Sequence, residues 1–195
     1  EYKDYKTLLA KMAEIEHQSC LILIGQEQCQ EMLCLDEEIG AFKCLQLEGL
    51  DNTEILTDRG LKNEESWYDL INLYEGNPAY LQDIARVIKD IFGGEVSEFL
   101  RENNLLLTDS IQSRIEEFFE RLSPREKKIF LELAKTDEPM SREDLRQALS
   151  LSSTDLVNGL QSLSKRFLIK PIKGETTSFQ ITSKVYRNWG RSQPA

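Results

Sequence analysis

Hydrophobic positions along this chain follow a helical period for most of its length, broken at both ends by short stretches with the period of a strand. Tyr5, Leu8, Leu9, Met12 and Ile15 recur at helical spacing and predict an opening helix over residues 2–15. The apolar run Ser19-Cys-Leu-Ile-Leu-Ile24, closed by Gly25, predicts a buried strand. A polar stretch over 27–35 reads as helix, and the alternation over 42–47 reads as a second strand. Helix followed by strand is the repeating unit of a parallel α/β sheet, so residues 1–49 are assigned to an α/β remnant.

From Asp51 the pattern is helical. Asp51 or Asn52 caps a short first helix, and Asn63 opens a second, over 64–74, that stops at Gly76. Pro78 fits the first turn of a third helix with Asn77 as its cap, because the N–H that proline lacks has no partner there anyway. In that helix Leu81, Ile84, Ala85, Ile88 and Phe92 share one face, and Gly93-Gly94 ends it. Helices over 96–101 and around Ile111, Ile115, Phe118, Phe119 and Leu122 complete an all-helical region, 50–122, bounded by Ser123-Pro124.

Three short helices are expected next: 124–135 with Ile129, Phe130 and Leu133 inward, 141–149 with Leu145, Ala148 and Leu149 inward, and 154–166 with Leu156, Leu160 and Leu163 inward. Segments 167–172 and 176–181, joined by Lys173-Gly174-Glu175, predict a β-hairpin. Three helices followed by a hairpin is the order of a winged helix, placed at 123–190. The predicted fold is therefore mainly α, with a small α/β N-terminal remnant, a helical domain and a C-terminal winged helix. Trp67, Tyr74, Tyr186 and Trp189 are read as core residues.

Charge sharpens this division. The net charge of -10 conceals 10 basic and 26 acidic residues over 1–120, against 14 basic and 8 acidic over 121–195. An acidic front and a basic back favour docking of one on the other, or attraction of the basic part to phosphates.

Candidate chemistry is sparse. Cys20, Cys29, Cys34 and Cys44 form no C-x-x-C pair, and His17 has no companion ligand, so reduced thiols and no metal are expected. His17 lacks a nucleophile elbow to serve, and Asp36-Glu37-Glu38 and Glu116-Glu117 lie in polar runs that read as solvated surface. The longest apolar run, Leu21 to Ile24, is too short to cross a bilayer, which excludes a membrane span of that kind and suggests a cytoplasmic protein. The chain opens at Glu1 already in a helical pattern, with no leader before it, and is read as a fragment without a secretion signal.

Several stretches resemble, in order and spacing, the nucleotide-binding and winged-helix region of NB-ARC proteins, the STAND class of regulatory ATPases. They are His17 to Ile24, Leu45-Gln-Leu-Glu-Gly-Leu50, Gly76-Asn-Pro-Ala-Tyr-Leu81, Ile91-Phe-Gly-Gly94 with Glu98-Phe-Leu100, and Phe119-Glu-Arg-Leu-Ser123. The resemblance implies that residues 1–49 are the C-terminal part of a P-loop-type nucleotide-binding domain. It also implies that Gly76 and Pro78 form the adenine side of an ADP/ATP site, with Pro78 packed on the ring.

Two positions depart from the family. Gln26, in Ile24-Gly25-Gln26, stands where the family has a phosphate-sensing arginine, and Thr182, in Ile181-Thr182-Ser183, stands where it has a histidine on the ADP phosphate. A neutral side chain answers phosphate charge poorly. The chain holds no G-x-x-x-x-G-K-[ST] loop, so it is not expected to be an enzyme by itself or to bind nucleotide tightly alone. The resemblance makes it the regulatory part of a nucleotide-dependent signalling switch, partnered by a missing N-terminal nucleotide-binding part and self-associating on activation.

The rival expectation is a winged-helix transcription regulator, in which the third helix enters the major groove and Lys165, Arg166 and Lys173 face DNA. Asp155, near the start of that helix, opposes this reading. A protein–protein adaptor is the remaining alternative.

Overall fold

The computed structural model describes residues 7–8, 11–12, 15, 18–27, 45–102, 105–174 and 176–193. The chain divides into two compact units, one gathering Glu1–Leu47 with Lys165–Phe167, the other Glu48–Ser164 with Leu168–Ala195. It is mainly α, with eight α-helices and one three-stranded antiparallel sheet among the described residues.

In the first unit Thr7, Leu8, Lys11 and Met12 are helical, as the N-terminal period predicts. The strand expected over residues 19–24 is not formed: these residues take no regular structure, and Ile24 is 90% exposed. A strand's stability depends on neighbours that pair its N–H and C=O groups, which an apolar run does not supply by itself. The helix expected over 27–35 and the first part of the strand expected over 42–47 fall outside the described residues, and Leu45, Gln46 and Leu47 are in no strand.

The second unit begins with 3-10 turns at Glu54–Leu56, where Asn52 Oδ1 accepts from Glu54 N at 3.3 Å, and at Glu64–Ser66. Helix α1, Trp67–Leu73, follows and buries Trp67, Leu70 and Ile71. It ends as Glu75 and Gly76 turn left-handed (φ 55° and 64°) and Gly76 N donates to Ile71 O at 2.8 Å. Gly76 is required here for a second reason: a Cβ would overlap the backbone of Leu50, whose N–H donates to Gly76 O at 2.8 Å.

Helix α2, Pro78–Ile91, is capped by Asn77, whose Oδ1 accepts from Ala79 N and Tyr80 N at 3.0 and 3.3 Å. Its apolar face buries Leu81, Ile84, Ala85 and Ile88, as the periodicity predicts. Helices α3, Val96–Arg101, and α4, Asp109–Glu120, close this region, adding Val96, Phe99, Ile111 and Ile115 to the core.

Helix α5, Pro124–Ala134, opens on a complete capping box between Ser123 and Glu126. Strand β1, Met140–Ser141, leads into α6, Arg142–Leu149, which carries a second capping box between Ser141 and Asp144. Of the residues expected inward on α6, Leu145 is buried and Leu149 packs partly buried against the core, but Ala148 is exposed. Helix α7, Ser153–Lys165, buries Leu156, Gly159, Leu160 and Leu163, with Gly159 set so close to Ile129 that a Cβ would overlap that side chain.

The hairpin forms as β2, Ile169–Ile172, and β3, Ser178–Ile181, registered Ile169 to Ile181 and Ile172 to Ser178. Strand β1 joins the other side of β3, giving the order β1-β3-β2. One element has no counterpart in the sequence reading: helix α8, Lys184–Arg191. Its Trp189 is 1% exposed and meets Phe119 edge-on at 4.9 Å, while Tyr186 stacks on Phe118 at 5.9 Å. Through these rings α8 packs against α4 as well as α5, so the helical region and the winged helix share one core. Trp67, Tyr74 and Trp189 are buried in it and Tyr186 half-buried. No helix among the described residues is long and apolar enough to cross a membrane.

Candidate functional site

The corner at Gly76-Asn77-Pro78 is built by two opposed requirements. Helix α1 must end, which two left-handed residues accomplish, and α2 must begin, which Asn77 and Pro78 accomplish. Glu75 therefore sits in a conformation disfavoured for a side chain with a Cβ. Its carboxylate is held there by two bonds, accepting from Ser183 Oγ through Oε2 and from Lys184 N through Oε1, both at 2.5 Å.

These bonds place a carboxylate on the N-terminus of α8. Ser183 Oγ at the same time accepts from Tyr186 N at 3.2 Å, so the serine caps the helix locally and Glu75 completes the cap from 108 residues away. Negative charge at a helix N-terminus is favoured by the unsatisfied N–H groups and the helix dipole.

A second link lies beside the first. Tyr80 on α2 and Tyr186 on α8 lie close enough for their side chains to act on one another electrostatically. Burial, together with the neighbouring Tyr186 and Glu75, pushes the Tyr80 hydroxyl well above its ordinary range, and burial raises Tyr186 as well.

Of the positions singled out from the sequence, Gly76 is buried and Pro78 exposed. Thr182 is exposed, and both its N–H and its hydroxyl donate to Leu168 O, at 2.9 and 3.1 Å. The fold thus brings the Gly76–Pro78 corner and the 182–183 turn together, with Glu75 as the bridge. Gln26 belongs to the other unit and is exposed. Lys165 and Arg166 belong to that unit too, where Arg166 pairs with Glu27 at 2.9 Å, while Lys173 is exposed at the turn of the hairpin. Asp155 is tied back to Arg125 at 2.6 Å and to Ser152 Oγ at 2.7 Å.

Sequence reasoning missed Glu75, the residue that carries the junction. Its only local signal is that a glutamate rather than a small residue precedes the glycine stop. A signal for α8 does exist: Ser183 as a cap, followed by Val185 and Trp189 at helical spacing. Among the described residues no group of three or more His, Cys, Asp or Glu side chains is placed to hold a metal ion. Cys20 is exposed as a free thiol, and His17 lies outside the described residues.

The chain is similar to an uncharacterized WD repeat-containing protein of Nostoc sp., with 30% identity over 193 residues. The match covers 94% of this chain but only 15% of that protein. No family model and no solved structure matches.

Proposed function

We propose that this chain is the regulatory part of a nucleotide-dependent switch of the NB-ARC/STAND type, in which the winged helix closes on the helical domain over ADP. The observation that carries this reading is the Glu75 clasp. It ties α8 of the winged helix to the residue immediately before Gly76-Asn77-Pro78, so a ligand resting on Pro78 lies next to the contact that would break on opening. A rigid-body switch of this kind needs two arrangements with different affinity for the ligand.

Pro78 takes the adenine face, and phosphate grip comes from sequence beyond these 195 residues. That the similar Nostoc protein is several times longer than the matched stretch supports such an arrangement. With neutral Gln26 and Thr182 at the two phosphate-sensing positions, the retained ligand is held mainly by its purine. Nucleotide exchange would then be read out as release of α8 from Glu75, exposing the surfaces that signal or self-associate.

The test is ADP affinity of the intact protein that carries this chain. Replacing Pro78 by alanine removes about 1 kcal/mol of apolar contact and should weaken ADP about fivefold. Unchanged affinity would remove the adenine role.

One observation favours the transcription-regulator reading as a second possibility: Arg125 and Ser152 engage the Asp155 carboxylate, reducing the repulsion it would offer to a phosphate-rich groove. Tight, sequence-selective binding of duplex DNA at about 150 mM salt would support it, and weak binding independent of sequence would not.

A further inference from the structure

Beside the clasp, a groove of about 780 Å³ runs between α8 and the extended segment Leu105–Leu107. Its two walls differ. On α8, Lys184, Arg187 and Arg191 line one side. With a rise of about 1.5 Å per residue these cations stand roughly 4.5 and 6 Å apart along the helix. On the other wall the carbonyls of Leu105, Leu106 and Leu107 are already engaged, by Asn188 Nδ2, the Tyr74 hydroxyl and Gln112 Nε2, at 3.2, 3.0 and 2.9 Å. That wall therefore offers leucine side chains, of which Leu106 is 38% exposed.

The cationic wall already holds a carboxylate. Arg187 Nη1 and Arg191 Nη2 converge on Asp137 Oδ1 at 2.8 and 2.9 Å. Neither arginine depends on Asp137 for its position: Arg187 Nη2 donates to Ile181 O at 3.2 Å and Arg191 Nε to Ala134 O at 2.8 Å. Asp137, by contrast, projects from the loop between α5 and β1 with its side chain 69% exposed. Two guanidinium groups fixed by the fold and one carboxylate lent by a surface loop make a site with an exchangeable occupant.

We propose that this groove binds an acidic peptide segment in which carboxylates alternate with apolar side chains. An extended peptide turns successive side chains to opposite faces, and those on one face stand roughly 6.6 Å apart. One face would set carboxylates against Lys184, Arg187 and Arg191 while the other sets apolar groups against Leu105–Leu107. Displacing Asp137 is the first step of binding, since both anions use the same forks. The positive balance over residues 121–195 favours an acidic partner. Because one wall belongs to the helical region and the other to the winged helix, the bound peptide holds the two together. The inference does not depend on the nucleotide reading and is tested without nucleotide.

The probe is a fluorescein-labelled peptide of alternating Glu and Leu, with the Gln-Leu peptide as control, titrated by anisotropy into the full chain. The acidic peptide should bind with an affinity that falls as salt rises. Asp137→Asn should tighten it about tenfold by removing the internal competitor, and Lys184→Gln should weaken it about fivefold. Both residues are exposed, so circular dichroism of the two variants should match the wild type. The proposal is overturned by equal affinity for the Gln-Leu peptide, by an Asp137→Asn variant that binds no tighter, or by absence of binding. Displacement of the peptide by equimolar inorganic phosphate would also overturn it, in favour of a small-oxyanion site.

Discussion

Helices α6 and α8 are each eight residues long and each begins on a serine cap, but their N-termini are satisfied in different ways. At α6 the cap is local: Ser141 and Asp144, three residues apart, serve each other's backbone N–H groups at 3.1 Å, and the whole device is written in one stretch of sequence. At α8 the serine does half the work and Glu75, at the end of α1, does the rest. A local cap stabilises its own helix whatever the rest of the chain does. A distant one makes the helix conditional on the position of another element.

The largest test of this contrast removes what both links at α8 rely on. Trp189→Ala takes away a buried indole packed on Phe119 and should cost about 3–5 kcal/mol in denaturant unfolding. Trp189→Phe should cost clearly less, since among the described residues the indole N–H is buried without a partner and phenylalanine removes that deficit. Equal losses for the two variants would mean that the packing of α8 is not the common support.

A smaller effect separates the two caps directly. Glu75→Ala keeps the same left-handed backbone, so its difference from the wild type reports the carboxylate alone, at about 1–2 kcal/mol. Hydrogen exchange should accelerate at the start of α8 and across the contact between α8 and α4. Ser141→Ala should cost about 1 kcal/mol and accelerate exchange in α6 only. If both variants loosened only their own helix, the Glu75 clasp would be no junction.

The smallest expected effect is a pH dependence confined to α6. Hydrogen bonds from Arg146, then Gln147, hold the Glu143 carboxyl down to about 2. A depressed acid contributes stability that is present above its ordinary value of 4.5 and lost as pH falls towards the folded value. An NMR titration should therefore place Glu143 below free glutamate, and Arg146→Gln should return it upward. Because the pair is fully exposed, salt should erase most of the difference.

Much of the second unit was legible from the chain itself. The Asn77-Pro78 start and Gly93-Gly94 stop of α2 enclose an apolar face whose period leaves little choice, and Ser123-Pro124 with Glu126 declares the start of α5 in four residues. The run at residues 19–24 has equally apolar letters but is exposed and in no strand, because a strand's stability resides in neighbours that its own sequence does not name. Helix α8 escaped for the opposite reason. Its two buried anchors, Val185 and Trp189, are separated by Tyr186, Arg187 and Asn188, too short an apolar pattern to declare a helix, and the aromatic support comes from afar, with Phe119 against Trp189 and Phe118 against Tyr186.

By itself the sequence determined where most helices of the second unit start and stop, which faces most of them turn inward, and that an acidic front is joined to a basic winged helix. Those properties depend on backbone preferences and periodicities that act over a few residues. Tertiary structure alone decided that Glu75 meets Ser183, that Tyr80 meets Tyr186, and that Asp137 rests between two arginines. Contacts between groups tens of residues apart leave no local pattern, because either partner could be satisfied by water until the core assembles around both.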